Sequence, residues 1–158
     1  MSEIIKTKAP GRVCFFGDHQ DYLSLPVIAG TIDRFIYIEG KPNGNEHLKI
    51  KLIDFDSQII IDLNESMENL EKGDYLRSSM RVLKKNGIDI NKGYDIEIKG
   101  DIPIKAGLSS SSALTVAWLR FLVKAASKNN KFDDEQLAKW AYESEVLEFN
   151  EARIGAYN

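Results

Sequence analysis

Four consecutive serines, Ser109 to Ser112, stand where a polar loop meets the most apolar segment of the chain. The segment that follows, residues 113–126, carries only two charged side chains and indicates a buried helix. The residues directly before the serines include Gly107, which favours a turn. A single serine would be enough to cap a helix. The sequence therefore predicts a loop-to-helix junction at which additional hydroxyl groups are available.

The start of a helix is chemically suited to binding an anion, because its first backbone N–H groups are unpaired and the helix dipole is positive there. Small residues let a phosphate approach the backbone closely, and a serine oxygen can also ligate Mg²⁺. The loop matches neither the Walker pattern nor G-x-G-x-x-G. From the residues alone, a phosphate-binding loop and a serine-rich cap on a buried helix are equally supported.

A second polar cluster lies near the amino terminus, where Arg12, Asp18, His19 and Asp21 fall within ten residues. Two carboxylates and an imidazole suit the recognition of a polyhydroxylated ligand, since each can fix a hydroxyl group by a charge-assisted hydrogen bond. We expect the intervening apolar residues 13–16 to be buried. The alternative is a solvated loop in which Arg12 pairs with a carboxylate.

Composition narrows the classes of protein to which the chain could belong. The chain has 158 residues, a formal net charge of −3 and no basic run, which predicts one soluble domain with no nucleic-acid partner. No stretch is long and apolar enough to predict a membrane span, and the first residues do not form a signal peptide, so we expect a cytoplasmic protein. Cys14 is the only cysteine, which rules out an intrachain disulfide and a thiolate zinc cluster, and its apolar surroundings should bury and inactivate it.

Hydrophobic periodicity predicts a strand-rich first half followed by mixed helices and strands, which is typical of the α+β class. The helix over 75–85 should stop at Asn86-Gly87, and the last helix should start after an Asp133-Asp134 cap. We predict strands over residues 4–9, 13–16, 48–54, 57–63 and 93–99, a strand and hairpin over residues 30–44, and helices over residues 75–85, 109–127 and 134–149.

The two polar segments together resemble the motifs of the GHMP kinases. "APGRVCFFGDHQDY" (9–22) is similar to the first family motif in its galactokinase form, A-P-G-R-V-x-L-I-G-E-H-T-D-Y. "IPIKAGLSSSSA" (102–113) is similar to the second motif, P-x-x-x-G-L-S-S-S-A, and "KWAYESEVLEFNEA" (139–152) resembles the helix that follows it. The motifs occur in the family's order, and the resemblance extends over nearly the whole chain.

The resemblance implies an α+β GHMP-kinase N-terminal domain with a left-handed β-α-β unit of the ribosomal-protein type. Residues 1–158 would form this ATP- and sugar-binding domain in incomplete, truncated form, with the C-terminal GHMP domain absent. The implied activity is transfer of the γ-phosphoryl group of ATP, with Mg²⁺, to a small alcohol, most simply a monosaccharide. The alternatives are a kinase for mevalonate, a heptose or fucose, and a non-catalytic regulatory protein that binds sugar and ATP.

The resemblance also implies roles for individual residues of the serine loop. Gly107, Leu108 and Ser109 to Ser112 match the ATP-binding positions, and Ser111 matches the hydroxyl on the Mg²⁺ side. Ser112 stands where the family usually has alanine, so the register of the loop could differ by one residue. Glu145 matches a helix glutamate that completes the metal site in some relatives. Its alternative is an ordinary surface glutamate.

At the amino terminus the resemblance implies that Asp18, His19, Asp21 and Tyr22 contact the sugar. Arg12 matches an arginine near the reacting hydroxyl group, where a cation would stabilise developing charge. Asp18 replaces the usual glutamate, which shortens that side chain by one methylene and leaves the identity of the hexose open.

The chain departs from the family pattern after Glu145. No aspartate follows Asp134, so the family's catalytic aspartate has no counterpart, and the third, glycine-rich motif is also missing. A truncation or a disrupted reading frame would explain both. We therefore expect weak or no activity from this chain alone, and an exposed apolar face that favours self-association.

Overall fold

A computed structural model describes residues 4–17, 23, 25–103, 106–126 and 132–152. In this part of the chain, one five-stranded sheet in the order β1-β2-β5-β3-β4 carries three helices. The elements are β1 (Ile5–Phe16), β2 (Ile28–Pro42), β3 (His47–Leu52), β4 (Ser57–Asp62), α1 (Tyr75–Lys85), β5 (Tyr94–Gly100), α2 (Ser110–Ala126) and α3 (Asp134–Glu145), with short 3₁₀ segments at Ile53–Phe55 and Leu147–Ala152.

The sheet is mixed, which confirms the predicted α+β class. β2 pairs antiparallel with β1 on one side and with β5 on the other. β3 runs parallel to β5 and antiparallel to β4. The hairpin predicted over residues 30–44 was wrong, because β5 lies between β2 and β3 in the sheet. A parallel neighbour requires a crossover connection, and the chain between β3 and β5 supplies it with β4 and α1.

The first strand differs from the prediction of two separate segments, because β1 runs unbroken through Pro10 and Gly11. A proline is tolerated there since β1 lies at the edge of the sheet. The register with β2 shifts between Pro10, which pairs with Phe35, and Arg12, which pairs with Thr31, so the irregularity places two extra residues on β2.

The predicted helix boundaries are confirmed at three ends. The Asp74 carboxylate accepts a hydrogen bond from the Arg77 N–H at 3.1 Å, and α1 stops before Gly87, which has a φ of 76°. The Asp133 carboxylate caps α3 by accepting from the Gln136 N–H at 2.8 Å. The carboxyl-terminal end of α3 was predicted at residue 149, which was wrong. The helix stops at Glu145 and the chain continues as a 3₁₀ segment.

The core lies between the sheet and α2, which is apolar on nearly all sides. Trp118, Leu119, Phe121 and Leu122 are fully buried, and the rings of Trp118 and Phe121 stack with 5.5 Å between their centroids. Gly40 on β2 allows this close approach, because a Cβ atom there would lie 2.6 Å from the Phe121 ring. Tight contact with the sheet therefore fixes the height and rotation of α2, and with it the position of the helix start.

None of the helices in the described ranges is both long enough and apolar enough to span a membrane.

Candidate functional site

The two polar segments of the sequence meet in the structure. The backbone N–H of Arg12 on β1 donates a hydrogen bond to the Leu108 carbonyl at 3.0 Å, just before the serine run. A Cβ atom on Gly11 would lie 2.9 Å from the same carbonyl oxygen, so only glycine fits against the loop at this point. Residues 96 positions apart in the sequence are thereby joined through their backbones.

We expect Gly11→Ala to destabilise the protein by about 1–3 kcal/mol, because the added methyl group meets a backbone oxygen that cannot rotate away. The measurement is the free energy of unfolding in urea. Gly30→Ala is the matched control on the neighbouring strand, since a Cβ atom there meets only the exposed Phe15 ring, at 3.1 Å. Equal losses in the two variants would contradict the close contact between β1 and the loop.

The serine loop has the backbone of an open turn at a helix start. Gly107 has a φ of 70° and Ser109 a φ of 55°, both in the left-handed region. The Ser109 carbonyl accepts from the Ala113 N–H at 3.0 Å, so Ser109 precedes the first turn and α2 begins at Ser110. A Cβ atom on Gly107 would meet nothing within 4 Å. Glycine is thus favoured there by the backbone conformation, while the space beside the loop remains open.

Within the run of serines, Ser111 faces the other predicted metal-site residue. Its hydroxyl group donates to the Glu145 carboxylate at 2.6 Å, across the 34 residues that separate the start of α2 from the end of α3. Glu145 is half-buried, and its role in a metal site stays a prediction. The structure therefore brings Ser111 and Glu145 together at the positive end of α2.

A hydroxyl and a carboxylate are hard oxygen donors of the kind that Mg²⁺ accepts alongside phosphate oxygens. Across the described ranges, no group of three or more histidine, cysteine or acidic side chains could hold a metal ion. Ser111 and Glu145 supply one oxygen donor of each kind.

The predicted sugar contacts Asp18, His19, Asp21 and Tyr22 lie outside the described residues, so their arrangement stays a prediction. Arg12, which belongs to the same segment, lies exposed on β1 beside the serine loop. The N-terminal cluster and the phosphate-loop candidates are therefore linked through at least this one residue.

The expectation that residues 13–16 are buried was wrong for Phe15 and Phe16, which are 61% and 70% exposed. β1 and β2 extend beyond the rest of the sheet here, because β5 pairs with β2 only from Ile36 onward. Cys14 is half-buried, and its thiol donates to the Phe16 carbonyl at 3.3 Å. Ile28, which pairs with Phe16 across the two strands, is also exposed. Self-association of the chain stays a prediction.

Sequence reasoning missed the part that Gly11 plays. The signal was present in the A-P-G-R string, since a glycine inside an otherwise apolar strand pattern often marks a close backbone approach. The string alone could not show which part of the backbone would approach Gly11.

Two family models match the chain. "GHMP kinases N terminal domain" matches residues 74–153, just over half of the chain and a range that contains the serine loop and Glu145. "Galactokinase galactose-binding signature" matches residues 2–42, which contain the N-terminal polar cluster. The two matched regions of the chain contact each other through the hydrogen bond between Arg12 and Leu108.

The relatives with similar sequences include galactokinases and a mevalonate kinase. The galactokinase of Thermococcus kodakarensis is 34% identical over 142 residues, covering 87% of this chain and 39% of that protein. The mevalonate kinase of Pyrococcus abyssi is 26% identical over 156 residues, covering 93% and 46%. The crystal structure of Lactococcus lactis galactokinase complexed with galactose aligns with a TM-score of 0.81 at 26% identity, over 90% of this chain and 37% of that one. This chain spans less than half the length of each of these three proteins. It belongs to the GHMP kinase family.

Proposed function

We propose that this chain supplies the ATP- and sugar-binding part of a kinase that phosphorylates a monosaccharide, with galactose as the first candidate. The observation that carries the proposal is the 2.6 Å contact between Ser111 and Glu145 at the start of α2, next to the backbone of Arg12. One helix start thus combines backbone donors, hydroxyl groups and a carboxylate beside an exposed cation.

In this proposal the ATP phosphates lie against the loop formed by Gly107, Leu108 and the four serines. Ser111 and Glu145 would hold Mg²⁺, which would supply positive charge to the phosphate oxygens. The open space beside Gly107 and the left-handed backbone of the loop support close approach of a phosphate. Arg12 contributes positive charge near the group that is transferred.

The sugar assignment has separate support. The galactose-binding signature covers Arg12, Asp18, His19, Asp21 and Tyr22, and a structural relative of this chain is described as complexed with galactose. Asp18 in place of glutamate keeps other hexoses, a heptose or fucose as alternatives, and the mevalonate kinase relative keeps mevalonate among them.

Calorimetric titration of the chain with Mg²⁺ and a non-hydrolysable ATP analogue, and separately with galactose, tests the proposal. We expect binding of both ligands, with Asp21→Ala weakening galactose binding and leaving nucleotide binding intact. A coupled assay for ADP release across galactose, other sugars and mevalonate then measures turnover in a full-length version of the protein, because this chain alone is expected to have little or no activity. Absence of nucleotide binding would overturn the proposal, turnover with mevalonate alone would overturn the sugar assignment, and binding without turnover would indicate a regulatory protein.

A further inference from the structure

One row of side chains on α1 contacts the chain on both sides of Glu145. The row consists of Tyr75, Ser78, Arg81 and Lys85, which are three or four residues apart and therefore share one face of the helix. None of these residues belongs to either polar segment discussed above. Their partners lie in residues 144–149, which end α3 and begin the following 3₁₀ segment.

Ser78 contacts the residue that immediately precedes Glu145. Its hydroxyl group donates to the Ser144 carbonyl at 2.9 Å, and both serines are fully buried. The last carbonyls of a helix lack N–H partners within the helix, so a buried one requires a donor from elsewhere. The Ser144 carbonyl is part of the peptide bond to Glu145, and Ser78 therefore fixes the plane of that peptide.

The other three residues of the row hold the chain just after Glu145. The Glu148 carboxylate, whose side chain is only 5% exposed, pairs with Arg81 and lies 2.6 Å from the Lys85 ammonium group. The Tyr75 ring meets the Phe149 ring edge-on, with 6.0 Å between their centroids. A nearly buried carboxylate with two cationic partners is strongly tied to them, because separation from both partners would leave its charge uncompensated.

We infer that this α1 row positions the carboxylate of Glu145 opposite Ser111, and that Ser78 is its principal positioning residue. Ser111 is on α2 and Glu145 ends α3, so their 2.6 Å contact depends on how the end of α3 is held. The row holds that end from both sides, at Ser144 and at Glu148 and Phe149. The inference deepens the proposed function, on which its consequence for metal and nucleotide binding rests.

Ser78→Ala tests this inference, with Ser79→Ala as its matched control. Ser79 is equally buried, but its hydroxyl group donates to the Tyr75 carbonyl within α1, at 2.7 Å, and so does not reach α3. Both variants remove one buried hydroxyl group from the same turn of the same helix. Only Ser78→Ala removes the contact with Ser144.

The first measurement is amide hydrogen exchange of residues 144–149, and it requires no ligand. We expect Ser78→Ala to raise exchange there roughly 5- to 10-fold relative to Ser79→Ala, the range that one lost hydrogen bond gives. The second measurement is the factor by which Mg²⁺ increases affinity for ATP. Ser78→Ala should reduce this factor several-fold, and it should have no further effect in Glu145→Gln, where the carboxylate charge is already lost.

The outcomes separate the two proposals. If the unaltered chain shows no Mg²⁺-dependent gain in ATP affinity, the proposed function fails, while the exchange measurement still decides the positioning. Equal exchange of residues 144–149 in Ser78→Ala and Ser79→Ala overturns the inference. Faster exchange with an unchanged Mg²⁺ factor also overturns it, because the row would then stabilise the segment without positioning Glu145.

Discussion

Ser111→Ala is expected to reduce the Mg²⁺-dependent affinity for ATP roughly 10- to 100-fold while changing the free energy of unfolding by less than about 1 kcal/mol. The hydroxyl group of Ser111 contacts the Glu145 carboxylate at 2.6 Å and is only half-buried, so its loss removes one candidate metal ligand and opens no large cavity. The measurement pairs titration of ATP, with Mg²⁺ and with a chelator, with urea unfolding of the same variant.

Ser112→Ala is the matched control for this prediction. It is adjacent to Ser111, equally half-buried, and it introduces the residue that the family usually has at that position. We expect little change in either measurement. If alanine at each of the four serine positions lowers stability alike and none changes the effect of Mg²⁺, the serines only cap α2 and the metal assignment is wrong. An effect at Ser112 with none at Ser111 would show that the loop register differs by one residue.

Local patterns in the sequence predicted the elements that are determined locally. The Asp133 cap and the Asn86-Gly87 stop each depend on residues within one turn of the helix end, and both are found in the structure. The long apolar run after the serines likewise predicted α2, because a segment that is apolar on all sides has to be buried.

Features that depend on distant neighbours were not predicted. The local sequence at Pro10 and Gly11 predicts an interruption between two strands. Only the edge position of β1 explains why the strand continues through these residues. Phe15 and Phe16 were predicted to be buried because they lie in an apolar run. They are exposed because β5 does not extend alongside that part of the β1–β2 pair. The side chains on α1 gave no signal at all, since Ser78 and its partner Ser144 are 66 positions apart.

The candidate site was predicted only in part by physical reasoning. Helix electrostatics indicated that an anion could bind at the serines, but nothing local distinguishes Ser111 from its neighbours. Its selection came from the family resemblance, and so did its pairing with Glu145. The structure adds an independent geometric reason, because Ser111 is the serine whose hydroxyl group contacts that glutamate.

Trp118→Ala is expected to destabilise the protein by about 3–5 kcal/mol, a large share of the total stability of an ordinary domain. Trp118 is fully buried, stacks on Phe121, and donates through its indole N–H to the Leu76 carbonyl at 3.0 Å. The side chain therefore joins α2 to α1 and fills the centre of the core. Urea unfolding followed by far-ultraviolet circular dichroism measures the loss, and the remaining Trp140 provides a fluorescence signal for the same transition.

Two further variants separate cavity formation from the lost hydrogen bond and from general effects of removing an aromatic ring. Trp118→Phe retains a ring in the core but leaves the Leu76 carbonyl without the indole donor, so we expect an intermediate loss of about 1–2 kcal/mol. Tyr142→Ala removes an exposed ring from α3 and should change stability by less than about 0.5 kcal/mol. A loss in Trp118→Ala no larger than that in Tyr142→Ala would contradict the placement of Trp118 at the centre of the core. Because α2 presents the serine loop, a loosened core should also weaken ATP binding in Trp118→Ala at denaturant concentrations well below its unfolding midpoint.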